Sequence, residues 1–186
     1  MAAGWREAGD MGRIERRQRG GQGRKKASWL LALLFIFLIS AGTAKAALRI
    51  GSTLPPATLL SVSGSPIRIP DSIRDKVVVL HFWQIGCSSC RLEMPALDGL
   101  YKKYRNKGLE VLTVNVGQKK EVVKSFAAEL GASFSVLIDP EGKIAAAYGV
   151  TDVPRTYVID RNGVVRYRIL GGATQEMLKK LILSLL

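Results

Sequence analysis

Val77-Val78-Val79-Leu80-His81-Phe82-Trp83-Gln84-Ile85-Gly86-Cys87-Ser88-Ser89-Cys90 decides how the chain is read. From Val77 to Phe82 it is apolar and β-branched without polar alternation, which predicts a central strand buried on both faces. It closes on a C-x-x-C. Downstream, apolar side chains fall at Leu92, Ala96, Leu100 and Tyr104, a spacing of four that predicts one helix face to about Arg105. Pro95 lies inside that helix and removes one backbone hydrogen bond, so a kink is expected.

The cysteines are therefore placed where a strand hands over to a helix. Cys87 falls at or just before the first helical turn, where free N–H groups and the positive end of the helix dipole favour a thiolate. Cys90 falls one turn further in, at a more buried position. That asymmetry makes Cys87 the attacking thiolate and Cys90 the resolving thiol of a disulfide exchange. Other uses of the pair fit less well. The chain has two cysteines and one histidine, His81, too few for a four-ligand structural zinc site. A c-type haem site needs histidine directly after the second cysteine, where Arg91 stands.

Working outward, Leu109 to Val116 reads as the next strand and Lys119 to Leu130 as an amphipathic helix with Val122, Val123, Phe126 and Leu130 inward, stopped by Gly131. Ser135 to Ile138 is a short strand, and Lys143 to Tyr148 a short helix. Thr156 to Ile159 and Val164 to Leu170 flank Asn162-Gly163, a strong hairpin signal. Thr174 opens a last helix with Met177, Leu178, Leu181, Ile182 and Leu185 apolar. Upstream, Ala57 to Val62 and Ile67 to Ile69 predict a hairpin around Ser63-Gly64-Ser65. Strands joined through helices are parallel and the last pair antiparallel. The expected class is α/β: a mixed central sheet flanked by helices on both faces, with an N-terminal hairpin extension.

The formal net charge of the 186 residues is +13. Residues 1–28 hold eight Lys/Arg against three acids, lack periodicity, and are expected to form a basic, disordered cytoplasmic tail. Residues 29–46 are expected to be a signal peptide or a transmembrane anchor. The eighteen residues from Ala27 to Ala44 are uncharged, a basic flank precedes them, and Ala44-Lys45-Ala46 is an A-x-A site. The positive-inside bias places the chain beyond Ala46 outside the cytoplasm, periplasmic or otherwise extracytoplasmic. Residues 47–56 read as a Gly/Pro-rich linker and 57–186 as the folded domain. No Lys/Arg stripe with interleaved aromatics is present, so nucleic acid is not an expected partner.

Residues 51–186 resemble the thioredoxin superfamily, and within it the exported TlpA/ResA/CcmG-like thiol–disulfide oxidoreductases. The resemblance rests on Phe82-Trp83, on Trp83-x-x-x-Cys87-x-x-Cys90, on Glu93-Met94-Pro95, and on the run Tyr148 to Asp160 containing Val153-Pro154-Arg155-Thr156. It implies a thioredoxin-like fold and a redox-active Cys87–Cys90 disulfide with no further cofactor and no metal. It implies that Pro154 is cis and faces the cysteines, with Val153 offering backbone groups to an extended substrate, and that Trp83 packs beneath the site. It also implies that Glu93 bears on the cysteines' acid–base behaviour, where the plain alternative is a solvated helix glutamate. Disulfide-containing client proteins, a membrane thiol electron donor and the membrane itself, through an uncleaved N-terminal segment, are the implied partners. Apocytochrome c is one possible client class. The chain departs from the pattern at His81, where aspartate or asparagine is usual, and at Gly86-Cys87-Ser88-Ser89-Cys90, which lacks the common aromatic and Gly-Pro. His81 is read either as a proton acceptor for Cys90 or as a core histidine satisfied by one backbone hydrogen bond. Two other activities share the scaffold or the ligands. A peroxiredoxin-type thiol peroxidase wants a P-x-x-x-T-x-x-C context, absent here, and a thiolate copper chaperone wants a C-x-x-x-C and a later histidine.

Overall fold

The computed structural model describes residues 48–186. The expected tail and the leader-or-anchor segment lie outside the described residues. Among those described, no helix is long and apolar enough to cross a membrane.

Seven strands form one mixed sheet: β1 Ala57–Ser61, β2 Pro66–Ile69, β3 Val77–Trp83, β4 Leu109–Val116, β5 Ser135–Asp139, β6 Arg155–Ile159 and β7 Val165–Leu170. Their spatial order is β2-β1-β5-β4-β3-β6-β7. β3 pairs parallel with β4 and antiparallel with β6, and all seven of its residues are buried, as its unbroken apolar run predicts. The four α-helices of the described residues are α1 Ser88–Tyr104, α2 Lys120–Glu129, α3 Lys143–Ala147 and α4 Gln175–Leu183.

The alternation of β3 sorts the core into two layers. Val77, Val79 and Trp83 face one side, with Leu97 and Leu100 of α1, Phe126 of α2, and Leu178 and Ile182 of α4. Val78, Leu80 and Phe82 face the other, with Ala145 of α3, Tyr148 and Tyr157. His81 has the parity of Val79 and Trp83. It therefore points into the layer that holds α1 and Cys90.

Three expectations need correction. Residues 48–56 are not a free linker: Leu48 and Leu54 are buried, and Gly51 N–H donates to the Val165 carbonyl. Two isolated leucines among Gly and Pro carry no periodicity, so the sequence hid this packing. The N-terminal hairpin extends the sheet as expected, with β1 pairing to β5 through Leu60↔Ile138 and Ser61↔Leu137. The buried stripe of α1 is Cys90, Glu93, Met94, Leu97, Leu100 and Tyr104, while Leu92 is 80% exposed. A strict spacing of four drifts off a 3.6-residue period, so it shares with the true stripe only its later members. For the same reason Val122 and Met177 are exposed, although Val123 and Leu178 beside them are buried. The α1 helix runs on through Pro95.

Candidate active site

The site begins where β3 ends. Gln84 to Cys87 make a turn, with Cys87 N–H donating to the Gln84 carbonyl at 3.2 Å. β4 and the loop after it hold this turn in place. Gln118 Oε1 accepts from the Ile85 N–H at 2.9 Å and from Asn115 Nδ2 at 2.8 Å, and Gln84 Nε2 donates to the Val116 carbonyl. Neither Asn115 nor Gln118 was singled out from the sequence. The amide of Asn115 within the strand Leu109 to Val116 was the available signal. Gln118→Ala removes the acceptor for two donors at once and is expected to lower unfolding stability by about 1 kcal/mol. It should also speed hydrogen exchange at the Ile85 amide, read by NMR.

Cys87 is the N-cap residue of α1 and is extended, with φ −86° and ψ 109°. Its Sγ accepts from the Cys90 N–H at 3.2 Å, the bond that a capping oxygen usually accepts. The same amide and the free first-turn N–H groups would stabilise negative charge on that sulfur. Cys87 is half-buried and Cys90 fully buried. The two are joined in a disulfide. Ser88 and Ser89, between them, are exposed.

The Val153–Pro154 peptide bond is cis. Phe82 pairs with Arg155, so the register sets Pro154 level with Trp83, at the end of β3 from which the cysteine turn departs. Pro154 is buried, and its carbonyl accepts from the Gly171 N–H. Val153 is partly buried and packs against both apolar layers. Trp83 is 1% exposed and lies against Phe126, ring centroids 5.4 Å apart. It is thus a core aromatic, in the layer that also holds Cys87 and Cys90.

Glu93 is not a solvated helix glutamate. It is 3% exposed, and its Oε1 accepts from the Ala173 N–H at 2.9 Å. Burial pushes its carboxyl up from the usual range, against the opposing pull of that hydrogen bond. His81 is fully buried, and among the described residues no backbone hydrogen bond satisfies it. Its Nδ1 lies 2.8 Å from Thr156 Oγ1, the residue directly opposite on β6. Burial lowers its pKa to about 4. His81 Nδ1 and Glu93 Oε2 are 3.7 Å apart. The structure thus brings His81 and Glu93 together in the layer that contains Cys90. Thr156, which lies in the run that carries the resemblance, and Ala173, which carried no signal in the sequence, complete the cluster. Gly172 also belongs to this wall: a Cβ there would stand 3.4 Å from Glu93 Oε1 and 3.5 Å from Ser89 Cβ.

The chain is similar to known proteins in both sequence and structure. The model of the AhpC/TSA family matches residues 50–168. The thiol-disulfide oxidoreductase ResA of Geobacillus thermodenitrificans is 39% identical over 151 residues, 81% of this chain and 86% of the relative. ResA of Bacillus subtilis is 33% identical over 128 residues, covering 69% and 71%. Among solved structures, a putative thiol:disulfide interchange protein DsbE from Chlorobium tepidum superposes with a TM-score of 0.69 at 33% identity, covering 74% of this chain and 98% of that one. The fold, the paired cysteines at the head of α1 and these similarities together establish that the chain belongs to the AhpC/TSA family, among its thioredoxin-like members related to the ResA thiol-disulfide oxidoreductases.

Proposed function

We propose that the chain is an exported thiol–disulfide oxidoreductase that reduces disulfides in client proteins. The observation that carries the reading is the Cys87–Cys90 disulfide at the N-terminus of α1, with one sulfur half-buried and the other sealed. In the reduced protein, Cys87 Sγ attacks a client disulfide as the thiolate. One client sulfur leaves with the electron pair, and a mixed disulfide remains on Cys87. Cys90 Sγ then attacks Cys87 Sγ, the second client sulfur leaves, and the internal disulfide closes. Only the half-buried sulfur can meet a client, so the order of attack follows from burial.

Val153 and Pro154 are assigned to the extended client segment, because they stand at the end of β3 beside the cysteine turn. Trp83 supports the floor of the site, and Glu93 the acid–base behaviour of the cysteines. A dithiol donor must reopen Cys87–Cys90 after each turn. A membrane thiol carrier fits a domain tethered or released outside the cytoplasm by residues 29–46. The peroxidase reading asks for a lone peroxidatic cysteine, whereas Cys87 is bonded to Cys90. The copper reading asks for a histidine after the thiolates, and none follows Cys90.

The test is reduction of insulin disulfides by the full-length chain with dithiothreitol as donor. Turnover well above dithiothreitol alone is expected. A rate equal to that of dithiothreitol alone would overturn the proposal.

A further inference from the structure

Among the described residues, His81 and Glu93 are the buried acidic and basic side chains in the layer that holds Cys90. The other buried charged residues stand elsewhere. Arg155 pairs with Phe82 and faces the opposite layer. Asp139 Oδ2 accepts from the Ala145 N–H at the start of α3. Asp160 is engaged by Arg166 at 2.6 Å. The elements packed around His81 present neutral groups otherwise: Thr113 of β4 and Thr156 of β6 lie directly opposite it, and α2 and α4 contribute Val123, Phe126, Leu178 and Ile182.

Among the described residues, five buried side-chain polar atoms find no hydrogen-bond partner: His81 Nε2, Trp83 Nε1, Glu93 Oε2, Asn115 Oδ1 and Arg155 Nε. Two of them, His81 Nε2 and Glu93 Oε2, belong to one close pair of acid and base, with Oε2 3.7 Å from His81 Nδ1. That is longer than a hydrogen bond but well within the range where two charges interact strongly in the interior. A buried carboxylate with an unpartnered oxygen is costly unless it is neutralised. Here the group in reach is an imidazole, itself held by Thr156, and a proton between the two removes the carboxylate's charge.

We propose that His81 and Glu93 share a single proton and act together as the acid–base unit for Cys90, with His81 the positioning residue that acts through Glu93. This deepens the disulfide-exchange reading above and rests on it. In resolution, Cys90 gives its S–H proton to the pair and its sulfur attacks Cys87 Sγ. The Cys87–Cys90 bond forms, the bond from Cys87 to the client breaks, and the electron pair leaves on the client sulfur, which takes a proton from solvent. When a donor thiolate reopens the disulfide at Cys87, the electron pair falls on Cys90 Sγ and the pair returns its proton there. Glu93 lies one helical turn from Cys90 and so can serve it directly. His81 gives the proton a second place to sit. This adds a microstate to the protonated pair and none to the deprotonated one, so the pair keeps its proton to a higher pH than Glu93 alone would. Burial favours a neutral imidazole and a protonated carboxyl, which is the one-proton state of the pair.

His81 is the only histidine in the chain, so selective 15N-histidine labelling of the full-length protein reports on it alone. In the oxidised protein its ring nitrogens are expected to show partial imidazolium character that disappears as the pair deprotonates. They should also move toward neutral imidazole when Cys87–Cys90 is reduced at constant pH. In Glu93→Gln both responses should vanish. His81→Asn should shift the break in the pH profile of disulfide reduction by dithiothreitol to lower pH, while Cys87 stays reactive to iodoacetamide. Ring signals that are the same in the wild type and Glu93→Gln, and in both redox states, would overturn the proposal. If His81→Asn does not fold, the wild type and Glu93→Gln still decide it. Insulin turnover with an unresponsive His81 removes the shared proton and leaves the function standing. Absent turnover with a responsive His81 does the reverse.

Discussion

Cys87→Ser is expected to slow insulin-disulfide reduction by roughly a thousandfold or more, the scale of loss when a covalent nucleophile is removed. A serine hydroxyl at the helix N-terminus still accepts the Cys90 N–H, so the cap and the fold should survive. What disappears is the one sulfur that solvent and a client can reach, because Cys90 is fully buried. Cys90→Ser should fail differently. Attack by Cys87 is retained and resolution is lost, so a client-derived peptide should accumulate on Cys87 as a mixed disulfide, visible by mass spectrometry without reductant and released by excess dithiothreitol. A client mixed disulfide trapped on Cys90 of Cys87→Ser as readily as on Cys87 of Cys90→Ser would mean that the sulfurs are interchangeable, contrary to their burial.

The second large effect is on stability. Leu97 is wholly enclosed: its solvent exposure is 0%, and it packs in the layer between α1 and the sheet with Val79, Trp83 and Ile182. Leu97→Ala is expected to cost about 2–5 kcal/mol, from lost apolar burial and the cavity left behind. Against a typical domain stability of about 5–15 kcal/mol, that is a large fraction, and the midpoint of urea unfolding should fall in proportion. Leu92→Ala on the same helix should change stability by less than about 0.5 kcal/mol, because Leu92 is 80% exposed. The contrast separates packing from helix propensity, since both changes replace Leu by Ala in α1. Equal losses would show that the stripe through Met94 and Leu97 does not carry the contact.

These contrasts also mark what the sequence could and could not tell. The continuous run Val77 to Phe82 identified the central strand because a strand covered on both faces needs no polar alternation. The C-x-x-C after it located both sulfurs and their unequal burial. Asn162-Gly163 placed the last hairpin through local turn chemistry, and Thr174 caps α4 through the Met177 N–H as its position before an apolar helix suggested. Long-range packing was harder to read. Leu48 and Leu54 looked like linker residues because nothing local distinguishes an apolar side chain that docks from one that does not. The faces of α1 and α2 depended on a phase that a few apolar residues fix poorly. The His81 cluster was least visible of all. Its hydrogen bond to Thr156 spans 75 positions and the Glu93–Ala173 bond spans 80. The family resemblance and their positions relative to the cysteines raised His81 and Glu93 as candidates, but only the fold puts them beside each other.

The attacking role of Cys87 is tested most directly by limited alkylation of the reduced, full-length protein with substoichiometric iodoacetamide at neutral pH, then peptide mapping. Cys87, half-buried at the α1 N-terminus, should take nearly all of the label, and Cys90 should react only after denaturation. Label divided evenly between the two, or found first on Cys90, would contradict the assignment of Cys87 as the attacking thiolate.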